Sequence, residues 1–210
     1  MSSTFDKNLL PEFDSVKDND EEIIWIGKPV FTPYMFSGLG AGLYTIAFGI
    51  IWILLAFNSG ANNASGGVHF FWLFGLLPLC QGVYVLANRL FSYSNTAYGY
   101  SNKRVMMRTG FIGTDFKTID YDKISDIEVT VNVIERIYNV GTIRFFSGRT
   151  QTEKGNTTKL YDTWSSIENP YEVFKMVKQT SVDIKTDFNY PNALRPDTNT
   201  GYKTKYKRKG

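Results

Sequence analysis

The order of apolar and polar positions divides the chain into two regimes. Between Lys28 and Arg89 no side chain is charged. Two apolar blocks lie in this interval, at about 34–57 and 68–91, separated by the polar run 58–67. A helix of about 20 apolar residues spans a hydrocarbon core, so the pattern predicts a hairpin of two transmembrane helices over residues 29–92. Past Ser92 the periodicity becomes alternating. Ile127, Val129, Val131 and Val133 interleave with Asp126, Glu128, Thr130 and Asn132, which predicts a strand with one buried and one wet face. Val105 and Met107 between Arg104, Met106 and Arg108 give a second strand. Ile143 with Phe145, and residues 160–164, give two more. Residues 98–100 and 116–121 are weaker candidates, and the polar run 147–157 reads as a turn. Short, closely spaced strands without intervening long helices predict an antiparallel sheet.

A single helix closes this region. Asn169 suits the N-cap, Pro170 the first helical position and Glu172 a capping box. Val173, Phe174 and Val177 make the stripe that packs on the sheet. The organisation expected is an acidic segment at 1–28, the hairpin at 29–92, a β domain with its helix at 93–182, and a loop with a polybasic tail at 183–210.

Charge refines this order. Residues 1–28 hold seven acids and three lysines, whereas residues 89–210 hold twenty basic residues and thirteen acids. Arg89, Lys103, Arg104 and Arg108 follow the second block, and the link between the blocks has no basic residue. By the positive-inside rule both termini are expected in the cytoplasm. Opposite net charges on one membrane face predict that the acidic segment docks on the basic C-terminal part. The acidic flank and the length of the first block argue against a signal peptide.

Within the blocks, Gly38, Gly42 and Gly49 of the first and Gly75 and Gly82 of the second are candidates for close helix packing, within the hairpin or in a homo-oligomer. Pro78 is expected to bend its helix. His69 is the one histidine and Cys80 the one cysteine. No disulfide, metal site or cofactor is therefore expected. The chain has no phosphate-binding glycine loop, no HExxH and no nucleophile elbow, and its single histidine lies at the membrane boundary. An enzyme is not expected.

Several short motifs occur in a fixed order: Trp25-Ile-Gly-Lys-Pro29 ahead of the spans, then Arg104-Val-Met-Met-Arg-Thr-Gly110, then residues 119–129 containing Lys123-Ile124. Arg136 with Val140-Gly-Thr-Ile143 and Ile167-Glu-Asn-Pro-Tyr-Glu-Val173 complete the set. In this order the chain resembles the bacterial pleckstrin-homology-like family of membrane-flanked domains, over roughly residues 21–180. The resemblance implies a bent antiparallel sheet closed by the C-terminal helix, and residence in the bacterial cytoplasmic (inner) membrane. It brings no biochemical activity.

Lys103, Arg104 and Arg108 are candidate contacts for anionic phospholipid headgroups, but a dense phosphate-gripping cluster is missing. Arg108 and Arg136 are expected to pair with carboxylates such as Asp120, Glu128 or Glu135. Lys203, Lys205, Lys207, Arg208 and Lys209 form a tail suited to an anionic leaflet, and a nucleic-acid partner is not expected. Two functions remain. One is a membrane-tethered module offering its PH-like domain to an unidentified protein partner or to lipid. The alternative is a hairpin that oligomerises into a pore or serves a transport or secretion complex.

Overall fold

The computed structural model describes residues 10–58 and 72–189, in two compact units. One unit holds the sheets and the described parts of 1–30, 96–109 and 114–210; the other holds Phe31–Asn95 and Gly110–Gly113.

The sheet unit opens with a short helix α1 (Leu10–Asp14) and strand β1 (Ile23–Gly27). Strands β2 (Ala97–Ser101), β3 (Arg104–Thr109) and β4 (Asp115–Asp120) follow β1 in a four-stranded antiparallel sheet, order β1-β2-β3-β4. A 3₁₀ turn at Tyr121–Lys123 leads into β5 (Asp126–Thr130). Then come α4 (Val133–Ile137), β6 (Val140–Glu153) and β7 (Asn156–Glu168). β5, β6 and β7 make a second antiparallel sheet, and α5 (Pro170–Asn189) ends the described chain. The expected antiparallel strands and C-terminal helix are present, arranged as two sheets.

Alternation explains the core. Tyr98 and Tyr100 of β2, Val105 and Met107 of β3, and Ile143 and Phe145 of β6 join Trp25, Trp164 and the α5 residues Val173 and Val177 in one buried cluster. Trp164 is fully buried at its centre, stacked on Tyr98 at 5.7 Å, tilted on Trp25 at 5.6 Å and edge-on to Phe145 at 4.9 Å. Burying one large apolar side chain stabilises by roughly 1.5–3 kcal/mol, and this aromatic stack ties Trp25 and Tyr98 of one sheet to Phe145 and Trp164 of the other. Buried Asp162 of β7 adds a polar tie, accepting from Lys117 of β4 and Arg149 of β6.

Four local readings are corrected. β1 lies in the stretch read as an acidic segment outside the β domain, and its Trp25 enters the core. The alternation through Val133 ends at Thr130, because Asn132 and Glu135 form a reciprocal capping box that starts α4. Val133 is consequently on the helix and exposed. The run 147–157 is largely strand: β6 and β7 continue as a ladder to the turn at Lys154 and Gly155. Both turn residues have positive φ, 48° and 84°, as a tight two-residue hairpin requires. Asn169 lies in the left-handed region at φ 48°, and its side-chain oxygen accepts from Asn139 instead of capping α5.

The second unit is a pair of helices, α2 (Phe31–Asn58) and α3 (Leu73–Asn95). Both are long and apolar enough to cross a membrane. Their glycines meet each other. A Cβ on Gly49 would lie 2.7 Å from the Gly75 carbonyl oxygen, and one on Gly82 would lie 2.7 Å from that of Gly42. Leu54, Leu55, Leu77 and Phe74 point outward and are more than half exposed. Arg89 closes one end of the pair: its guanidinium lies 4.2 Å over the Tyr34 ring and its Nε donates to the Tyr34 carbonyl at 3.2 Å.

Candidate functional site

On β3 the two-residue period places Val105 and Met107 in the main core and Met106, between Arg104 and Arg108, on the opposite face. The N-terminal segment from α1 to the start of β1 lies across that face as a strap. Phe13 of α1 is fully buried in a second cluster with Ile26, Ala97 and Met106, and meets Phe116 edge-on at 5.4 Å. A Cβ on Gly99 would come within 3.1 Å of the Phe13 ring, so glycine there leaves room for the strap. Acids on either side of Phe13 reach the basic residues. Glu12 pairs with Arg108; Asp18 and Asp20 pair with Lys103; Asp18 and Glu21 pair with Arg104. The acidic segment thus docks as its charge predicts, and Arg108 is held by Glu12 in place of the expected Asp120, Glu128 or Glu135.

Glu21 is the centre of this contact. It is buried, and its carboxylate accepts from Arg104 at 2.6 Å, from the Ser101 hydroxyl and from the Asp18 amide at 2.9 Å. Burial by itself favours the protonated acid, but the hydrogen bonds from Arg104, Ser101 and Asp18 outweigh it and lower the pKa to about 2. Arg104 is correspondingly raised, first by its hydrogen bond to Glu21. Nearby Tyr100 is pushed up to about 12 by burial, and Tyr121 is also raised, mainly by burial. The Tyr121 hydroxyl donates to the Ser101 carbonyl at 3.0 Å. Lys103, Arg104 and Arg108, the cations expected to meet lipid headgroups, are therefore neutralised from within the chain. Net charge signalled this docking; the individual partners Glu12, Phe13 and Glu21 carried no signal of their own.

A second feature lies at the other sheet. Gly141 of β6 sits beneath Pro170, since a Cβ there would meet the proline ring at 2.8 Å and Val131 at 2.9 Å. Beside this contact a groove of about 410 Å³ is lined by Val131, Arg136, Asn139, Val140, Pro170 and Tyr171. Two separate sequence motifs, Arg136 with Val140-Gly141 and the Pro170-Tyr171 pair, converge here. Val133, Ile137 and Tyr171 are 80%, 76% and 65% exposed. Among the described residues no carboxylate pairs with Arg136. Glu135 is engaged in the capping box and with Thr142, and Glu128 accepts from Tyr161. Arg136 therefore has no carboxylate partner among the described residues, where one was expected.

Among the remaining candidates, Gly42, Gly49, Gly75 and Gly82 lie between α2 and α3, and Gly38 faces Arg89. Lys203, Lys205, Lys207, Arg208 and Lys209 lie outside the described residues, as does His69. No group of three or more metal-ligating side chains occurs among the described residues.

Packing accounts for the glycine of the first motif as well. In Trp25-Ile-Gly27, a Cβ on Gly27 would strike the Trp25 ring at 2.4 Å. No curated protein and no solved structure matches the chain. The sequence pattern of the bacterial PH domain matches residues 36–167, more than half of the chain. With its antiparallel sheets, its closing helix and that match, the chain belongs to the bacterial PH domain family.

Proposed function

We propose that this chain is a non-enzymatic, two-span protein of the bacterial cytoplasmic membrane whose PH-like domain binds a protein partner through the Arg136 groove. The membrane part of the reading is supported by α2 and α3, whose outward apolar side chains would be poorly accommodated by water. The observation that carries the choice of partner is the contrast between two cationic sites. Lys103, Arg104 and Arg108 are held by strap acids, whereas Arg136 has no carboxylate partner among the described residues and lines a groove with Val131, Val140, Pro170 and exposed Tyr171, while Val133 and Ile137 are exposed on the same helix α4. Apolar side chains around one available guanidinium suit a protein segment bearing a carboxylate beside aliphatic or aromatic residues.

The test is photo-crosslinking of the full chain in its membrane. A photoreactive residue at Ile137 is expected to yield a discrete protein adduct that disappears with Arg136→Glu, while one at Thr158 yields none. Adducts confined to lipid, or a protein adduct indifferent to Arg136→Glu, would overturn the assignment.

A further inference from the structure

Gly110–Gly113, the link between β3 and β4, belongs to the helical unit. The Phe111 ring meets Phe91 edge-on at 5.4 Å and lies 6.4 Å from the Tyr84 ring. Phe91 and Tyr84 are two turns apart on α3 and each is 59% exposed, so Phe111 rests on the outer face of the helix. The Asn95 side-chain amide donates to the Gly110 and Gly113 carbonyls at 3.3 and 3.4 Å, holding both ends of the link. Ile112 at the apex is 89% exposed, the highest value for a large apolar side chain among the described residues. No charge occurs from Thr109 to Thr114.

Arg89 gives this link a depth. A cation near the end of a span keeps its head at the water boundary while its stem lies along apolar surface. Tyr84 precedes Arg89 by five residues, roughly 7–8 Å along the axis at 1.5 Å per residue. Phe91 follows Arg89, so the two aromatic contacts of Phe111 bracket the boundary. A turn facing water ordinarily uses Asn, Asp, Ser or Gly at its apex. Phe and Ile at this position, beside exposed apolar helix surface, match the headgroup–acyl boundary, where aromatic and apolar side chains settle.

We propose that Phe111 and Ile112 form a membrane-inserting wedge that enters the headgroup–acyl boundary of the bilayer holding α2 and α3. The proposal rests on the membrane reading of those helices. It gives the chain a lipid contact through apolar side chains, separate from its cations.

The test uses the full chain reconstituted into phosphatidylcholine–phosphatidylglycerol vesicles, with an environment-sensitive fluorophore on single cysteines. Native Cys80 reports on α3. In a Cys80→Ser background, Ile112→Cys reports on the wedge and Thr158→Cys on a water-exposed strand. The label at 112 is expected to be quenched by shallow nitroxide lipids and to be several-fold less accessible to iodide than the label at 158. Iodide access at 112 equal to that at 158, with Cys80 still shielded, overturns the wedge and leaves the membrane reading standing. Iodide access at Cys80 as well overturns both.

Discussion

Glu21 and Arg104, separated by 83 positions in sequence, form an ion pair at 2.6 Å in which the glutamate side chain is fully shielded from solvent. The pair joins the segment before β1 to the start of β3, and it engages the basic β2–β3 turn from within the chain. Its pH dependence follows from the depressed acid. Folding stability from Glu21 is fully present above the ordinary carboxylate value of 4.5 and is lost as pH falls toward about 2. The contribution is on the order of 3 kcal/mol. Thermal melts of the full chain in detergent should show a steep loss across that window. Glu21→Gln should be less stable at neutral pH and should lose less between pH 4.5 and 2; an identical pH slope would show that Glu21 is not the titrating group.

Phe13 predicts a local effect. It is fully buried between α1 and the outer face of the four-stranded sheet. Phe13→Ala should cost about 3–5 kcal/mol if the strap unfolds with the domain. A smaller loss in the global melt, with fast hydrogen exchange confined to residues 11–22, is the signature of strap release alone. Unchanged exchange in that segment would show that Phe13 does not hold it.

A fragment beginning at Ser92 should fail to fold. It lacks β1, whose Trp25 packs on Tyr100 at 6.2 Å and on Trp164, and it leaves the β2 edge unpaired. Joining residues 10–30 to Ser92 through a flexible linker should restore a cooperative melt and a near-ultraviolet aromatic signal. Equal cooperativity without residues 10–30 would contradict the role of β1.

These contacts mark the limit of what the sequence makes legible. The two apolar helices are visible because sixty consecutive residues without a charge, 29–88, are long enough to hold both. β3 and β5 are visible because their core-packed residues, Val105 with Met107 and Ile127 with Val129, recur at a period of two. β1 is not, since five residues whose partner lies more than seventy positions away carry no local pairing signal. α4 is hidden by the apolar alternation that runs into it, and only the Asn132–Glu135 spacing betrays its start. The strap is legible as net charge, but the assignment of Glu12 to Arg108 and of Glu21 to Arg104 depends on register. The groove is legible only as separate motifs, because Gly141 and Pro170 meet through tertiary packing.

The helix pair makes a positional prediction. A Cβ on Gly82 would lie 2.5 Å from Ile46 Cγ1 and 2.7 Å from the Gly42 carbonyl oxygen, whereas one on Gly40 meets nothing within 4 Å. Gly82→Val should therefore separate α2 from α3 and lower the melting temperature in detergent, with Gly40→Val close to wild type. Equal effects at both positions would contradict the packing described.

Because the strap acids occupy Lys103, Arg104 and Arg108, the PH-like sheet should not read anionic headgroups through them. The decisive measurement follows the guanidinium Nε–H resonances of Arg104 and Arg108 in the full chain, held in neutral detergent micelles and titrated with a short-chain phosphatidylglycerol. Both resonances are expected to stay in place in the wild type and to respond only when Glu12 and Glu21 are replaced by glutamine. A saturable shift of either resonance in the wild type would refute the occupied turn and make it a headgroup site.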